Sequence, residues 1–167
     1  MRINPLPILA VVLMIFTTAS AQTTQRIPLT PSQNPTNADV PFSQAVWAGD
    51  TLYVSGWLDP ELKTHTDTKS QTVGILEDIQ KFLISQNLTL GDVVMMREFL
   101  ESDPARDSKA DILGARAGYS QFFGTKDQPN RPANTATQVV LLAPGALVEI
   151  DLIAVRPKSS PDRYSGR

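Results

Sequence analysis

The chain has 167 residues, 41% of them hydrophobic, and a formal net charge of −2, which fits one domain with a sizeable core. It contains no cysteine, so disulfides, thiolate catalysis and cysteine-based zinc sites are excluded. Acidic and basic residues are mixed, and nothing points to nucleic acid or a charged membrane surface as a partner.

Residues 1–21 read as a signal peptide. Arg2 is a short positive start, Ile8 to Phe16 an apolar run too short to span a bilayer, and Ala19-Ser20-Ala21 a small-x-small cleavage site before Gln22. The expectation is an exported protein, periplasmic or secreted, with no membrane association after cleavage; an uncleaved anchor is the alternative. No cysteine follows the apolar run, so lipoprotein attachment is excluded. An exported chain without cysteines must rely on its core or its oligomer. Residues 22–39 carry Pro28, Pro31 and Pro35 and read as an extended linker or arm. Asn87-Leu88-Thr89 is a sequon that matters only in a eukaryotic secretory host.

Phe42 to Trp57 predicts two strands around Ala48-Gly49-Asp50, with Leu52, Val54 and Gly56 alternating against Tyr53, Ser55 and Trp57. A glycine inside a strand marks a bulge or the close approach of another group, which singles out Gly56. Trp57 reads as core or interface packing. Leu58 to Asp67 is a loop holding the single histidine, His65, which reads as a solvated loop residue. Thr68-x-x-Gln71 has the form of a capping box, and Val73, Leu76, Ile79 and Leu83 recur at helical spacing to about Gln86. Asp92 to Glu101 is a strand in which the adjacent Arg97 and Glu98 must point to opposite faces. Ser108-x-x-Asp111 resembles a second capping box before a helical face of Ile112, Ala115, Tyr119 and Phe122 that ends at Gly124.

Two strands close the chain. One runs through Ala133-Asn134-Thr135-Ala136-Thr137-Gln138-Val139, the other from Leu147 to Val155, with Pro144-Gly145 as a turn signal between them. Paired as a hairpin, they would set the Asn134, Ala136 and Gln138 face against the Glu149 face. A carboxylate on a central strand is costly to bury unless it is paired or used, so Glu149 is the first functional candidate, with a subunit-interface ion pair as its bland alternative. Residues 158–167 are predicted to be a disordered tail. The resulting order, β-β-α-β-α-β-β, is an α/β (α+β) class in which two helices cover one face of a mixed sheet and the other face is left for oligomerisation.

Three separated stretches carry a resemblance. Pro144-Gly145-Ala146-Leu147-Val148-Glu149-Ile150 with Ile153-Ala154-Val155 is similar to the C-terminal signature of the RidA (YjgF) family of imine deaminases. Pro41-Phe42-Ser43-Gln44-Ala45 resembles its Pro-Tyr-Ser-Gln-Ala motif, and Ala48 to Gly56 its first hairpin. The resemblance implies a RidA-like, chorismate-mutase-like domain over 40–157. It also implies a homotrimer with sites in the clefts between subunits, and hydrolysis of small imines or enamines without metal or organic cofactor.

In that family an arginine forks onto the substrate carboxylate, a glutamate holds the attacking water, and a tyrosine and a glycine line the pocket. Carried over, the glutamate is Glu149, the glycine Gly56, and the position two after the arginine Ala136. The tyrosine position is Phe42, and the arginine position is Asn134, which supplies no charge. Loss of a charged bidentate contact costs on the order of 1.5–3 kcal/mol for a carboxylate substrate, so an altered substrate is expected. Arg97 and Arg131 are the basic residues that could compensate, each with a salt bridge or rim position as the bland reading. Three functions follow: a divergent hydrolase or deaminase, a non-catalytic small-molecule-binding homotrimer, or the ribonuclease-like or chaperone-like roles suggested for the family. The unremarkable charge argues against RNA.

Overall fold

The computed structural model describes residues 23–29, 33, 39–103 and 106–158. The expected signal peptide, half of the expected linker and the expected tail beyond residue 158 lie outside the described residues.

The chain runs β1 (Thr24–Ile27), β2 (Ala45–Ala48), β3 (Thr51–Leu58), α1 (Thr68–Ser85), a 3-10 turn at Leu90–Asp92, β4 (Val93–Glu101), α2 (Ile112–Tyr119), β5 (Ala133–Val139) and β6 (Val148–Val155). The strands form one six-stranded sheet in the order β1-β2-β3-β6-β4-β5. All neighbours are antiparallel except β4 and β5, which the α2 crossover joins in parallel.

Both helices pack on one face. Along β6, Val148, Ile150, Leu152 and Ala154 are buried, and they meet Leu52, Val54 and Trp57 of β3 and Met96 and Leu100 of β4 in one core. Helix α1 adds Ile75, Leu76, Ile79, Phe82 and Leu83 at helical spacing. Trp57 is a core residue, its ring 5.1 Å from that of Phe82. The opposite sheet face is uncovered in the single chain: Tyr53, Val94 and Val155 are exposed there, with Met95, Phe99 and Ile153 half-buried.

Several expectations need correction. The two last strands do not form a hairpin. After β5 the chain crosses the end of β4, where the Glu101 carboxylate accepts from the backbone N–H of Leu141 at 2.6 Å, and β6 enters between β3 and β4. Composition explains this. A strand with an apolar row along its length belongs in the centre of a sheet, while β5 offers Asn134, Thr135, Thr137 and Gln138 and serves as an edge. The expected linker contributes β1, paired to β2.

The caps also differ. The N-cap of α1 is Asp67, accepting from Ser70 N–H at 2.9 Å, not Thr68. Gln71 instead turns inward: its amide donates to the carbonyls of His65 and Gly145, both at 2.9 Å, and its oxygen accepts from Leu147 N–H at 2.7 Å. The cap of α2 is Asp111, accepting from Gly114 N–H, while Ser108 sits in a turn at φ +58°.

Candidate active site

The bulge in β3 sets the geometry. Register slips between Val54 and Trp57, so Ser55 and Gly56 together lie across from the stretch of β6 between Leu152 and Ile150. The Glu149 side chain leaves the sheet on the uncovered face and folds back against Gly56. A Cβ at position 56 would stand only 2.8 Å from the Glu149 carboxyl carbon. Glycine is therefore required there to seat the carboxylate.

Phe42, Gly56 and Glu149 line one cavity of about 330 Å³, so three of the residues singled out in the sequence come together. Leu29, Leu58, Leu142 and Ala143 extend its apolar wall, and Gln33 and Gln44 add neutral amides. Gln44 is almost fully buried, and its backbone ties the motif strand to its neighbours: its N–H donates to Ile27 and its carbonyl accepts from Ser55 N–H. Burial, followed by the nearby charge of Asp151, raises the Glu149 carboxyl above the ordinary glutamate value. No described residue hydrogen-bonds or ion-pairs with it. A half-buried carboxyl with a raised pKa, beside an apolar wall, is equipped to take a proton from water and return it.

The other candidates lie elsewhere in the single chain. Asn134 and Ala136 sit on β5 across from Met96 and Glu98, on the helix side of the sheet. The Asn134 amide donates to Glu98 Oε1 at 2.6 Å. Glu98 itself is buried, and that burial raises its carboxyl despite Asn134 and the positive charge of Arg116. Arg97 projects from the opposite face, as the alternation requires, and grips Asp151 with two bonds, Nε to Oδ1 at 2.8 Å and Nη2 to Oδ2 at 2.7 Å. Arg131 lies against Gly124, where a Cβ would come within 2.7 Å of its guanidinium carbon. None of these four lines the Glu149 cavity.

His65 is not a free loop residue. Its Nδ1 bonds the Asp59 carboxylate at 2.6 Å, and Asp59 is fully buried in a niche that Gly74 leaves open. The pair anchors the loop between β3 and α1. Residues the sequence did not assign to the cavity include Leu29, Gln33, Gln44, Leu142 and Ala143. Gln44 stood inside a quoted motif, whereas Leu29 and Gln33 come from the arm and carry no local signal. Among the described residues no cluster of histidine and carboxylates is arranged to hold a metal ion, and no helix is long and apolar enough to cross a membrane.

The fold and cavity define an α+β protein with a carboxylate-bearing pocket at a sheet bulge. The family model for Endoribonuclease L-PSP matches residues 32–156, and the chain belongs to this family, also called RidA or YjgF. A RutC family protein of Saccharolobus solfataricus is 34% identical over 118 residues, covering 68% of this chain and 86% of the relative. One from Pyrococcus horikoshii is 30% identical over 120 residues, covering 70% and 87%. Among solved structures, E. coli TdcF with bound serine is 26% identical with a TM-score of 0.63, covering 80% of this chain and all of that one. A YjgF-family protein of Mycobacterium tuberculosis is 26% identical with a TM-score of 0.59 and the same coverage.

Proposed function

We propose that the chain is a Rid-type hydrolase that releases ammonia from small imines, enamines or related nitrogen compounds, exported from the cell, in clefts completed between copies of a homotrimer. The observation that carries the reading is the Glu149 carboxyl, seated against Gly56 in a small cavity and without a hydrogen bond or ion pair among the described residues. The solved E. coli relative holds an amino acid, which supports a small-molecule site. The uncovered sheet face and the exposed Phe42, Val140 and Leu142 near the cavity supply apolar surface for neighbouring copies.

In the reaction Glu149 takes a proton from water as the water oxygen attacks the imine carbon, and passes it to the nitrogen as the C=N bond becomes a single bond. Glu149 then takes the proton of the new hydroxyl and delivers it to the same nitrogen, the C–N bond breaks, and ammonia leaves as the carbonyl forms. Water is consumed, and nothing is oxidised or reduced.

The test is ammonia release from freshly generated imines by the purified protein beside Glu149→Ala. Removing a positioned general base typically lowers the rate about 10²–10⁴-fold, and a loss of that size is expected. Release no faster than buffer from folded wild-type protein would overturn the reading and favour the non-catalytic binding trimer.

A further inference from the structure

His65 is the single histidine of the chain, and its backbone and one ring nitrogen are all held. Its N–H donates to the Glu61 carbonyl at 2.8 Å, and its carbonyl accepts from the Gln71 amide at 2.9 Å. Its Nδ1 meets Asp59 Oδ2 at 2.6 Å. Asp59 is fixed in turn. Its side chain is fully buried, its Oδ1 accepts from Glu61 N–H at 3.1 Å, and a Cβ at position 74 would stand 2.6 Å from that oxygen. A carboxylate can only accept, so Nδ1 carries the imidazole proton and Nε2 keeps its lone pair. No described residue bonds Nε2.

Although so firmly held, the His65 side chain is 35% exposed, and it lines a groove of about 350 Å³ with Asp67, Lys69, Ser70, Val73 and Glu77. Lys69, Val73 and Glu77 are spaced four residues apart on α1 and so share the helix face that bounds the groove. Val73 offers apolar contact, and Lys69 brings an ammonium that favours negative charge developing on an acyl oxygen. A loop anchor needs the Nδ1 bond only. An imidazole fixed by a buried carboxylate, with its other nitrogen left to an open groove, is also a positioned nucleophile.

From this we infer that His65 is a nucleophilic catalyst in its own right, and that the groove beside it takes small activated acyl esters. The Nε2 lone pair attacks the acyl carbon, the C–O bond breaks, and the alcohol leaves as its anion. Water then attacks the acyl-imidazolium, the C–N bond breaks, and Nε2 regains its lone pair. The proton released by water goes to the alcohol anion. One ester and one water give one acid and one alcohol, with nothing oxidised or reduced. Asp59 acts through His65 as a positioning residue. The groove shares no lining residue with the Glu149 cavity, so this activity does not depend on the reading of that cavity. Its groups all come from one loop and one helix of one chain.

The test is release of nitrophenolate from p-nitrophenyl acetate by the purified protein, beside free imidazole at equal concentration. The wild-type rate is expected to exceed that of free imidazole by about tenfold or more. His65→Gln, whose side-chain amide can still donate to Asp59, should lose the catalysed rate and keep its melting temperature. Because the chain holds one histidine, nitrogen-15 spectra of labelled protein read this ring alone. On the alkaline side of its titration they should show the proton on Nδ1 and a bare Nε2. Asp59→Asn should slow release by about tenfold or more and shift the proton toward Nε2, a change of tautomer that lost stability alone would not give.

A wild-type rate no faster than free imidazole overturns the inference. So does a full rate in His65→Gln, or a proton found on Nε2 in the wild-type ring. An unchanged rate and tautomer in folded Asp59→Asn overturns it as well. Ester hydrolysis that is lost in Glu149→Ala but kept in His65→Gln would place the activity in the other cavity and sink the inference without touching the imine reading.

Discussion

Glu149 and Gly56 work as a unit, and single substitutions separate their roles. Gly56→Ala pushes a methyl group into the far end of a flexible side chain, so the carboxyl must swing away while the strand stays paired. The expected result is a loss of ammonia release of about tenfold or more with a melting temperature changed by only a few degrees. In the proposed reaction Glu149 acts as a base only when ionised, and its burial holds the proton to higher pH than an ordinary glutamate does. Activity should therefore fall on acidification with a midpoint above the ordinary glutamate value, read from the pH dependence of kcat/KM. Glu98 gives a stability prediction. Burial raises its carboxyl in the folded state, so its contribution is fully present below the unfolded pKa and is lost as pH rises through the folded pKa. Glu98→Gln removes that loss, so its melting temperature relative to wild type should improve as pH rises above the ordinary glutamate range. The site was partly legible in the sequence. A carboxylate and a glycine within apolar strands are local anomalies, and both proved to line the cavity. The partners of Asn134 and Arg97 were not legible, because Glu98 and Asp151 reach them through strand register, which no spacing along the chain reveals.

Among the elements, α1 owes its placement to one buried side chain as well as to its apolar stripe. Gln71 links the β3–α1 loop, the helix and the approach to β6 through three hydrogen bonds. Gln71→Ala would leave buried backbone groups unpaired, and a loss of about 2–4 kcal/mol in urea unfolding is expected. The helices and most strands were readable because their apolar periods are long and regular. Three features were not. Gln71 fits a capping pattern but is used as a clamp, because Asp67 stands one residue earlier and caps better. The two last strands are joined by a turn signal, yet the turn carries the chain over β4. The strand β1 has only four residues, and it forms by adding to an edge that its own sequence cannot announce.

At the scale of the molecule, the question is what covers the sheet face opposite the helices. Ile153 lies at its centre, across from Tyr53 on one side and Met95 on the other. If copies of the chain meet there or nearby, Ile153→Asp should convert a trimer to monomers in sedimentation while leaving helix and strand content unchanged. Ammonia release should fall with it by about tenfold or more, because the proposed cleft needs a second copy.

The position of β6 has a consequence for how the protein comes into being. Among the described residues the strand that joins the two halves of the sheet is the last in chain order, and β3 pairs with it across the whole of α1, β4, α2 and β5. Without Val148 to Val155, β1–β3 and β4–β5 share no hydrogen-bonded strand. Such non-local pairing places folding in the slow, millisecond-to-second range. The two ribbons therefore become one sheet only when β6 inserts between β3 and β4.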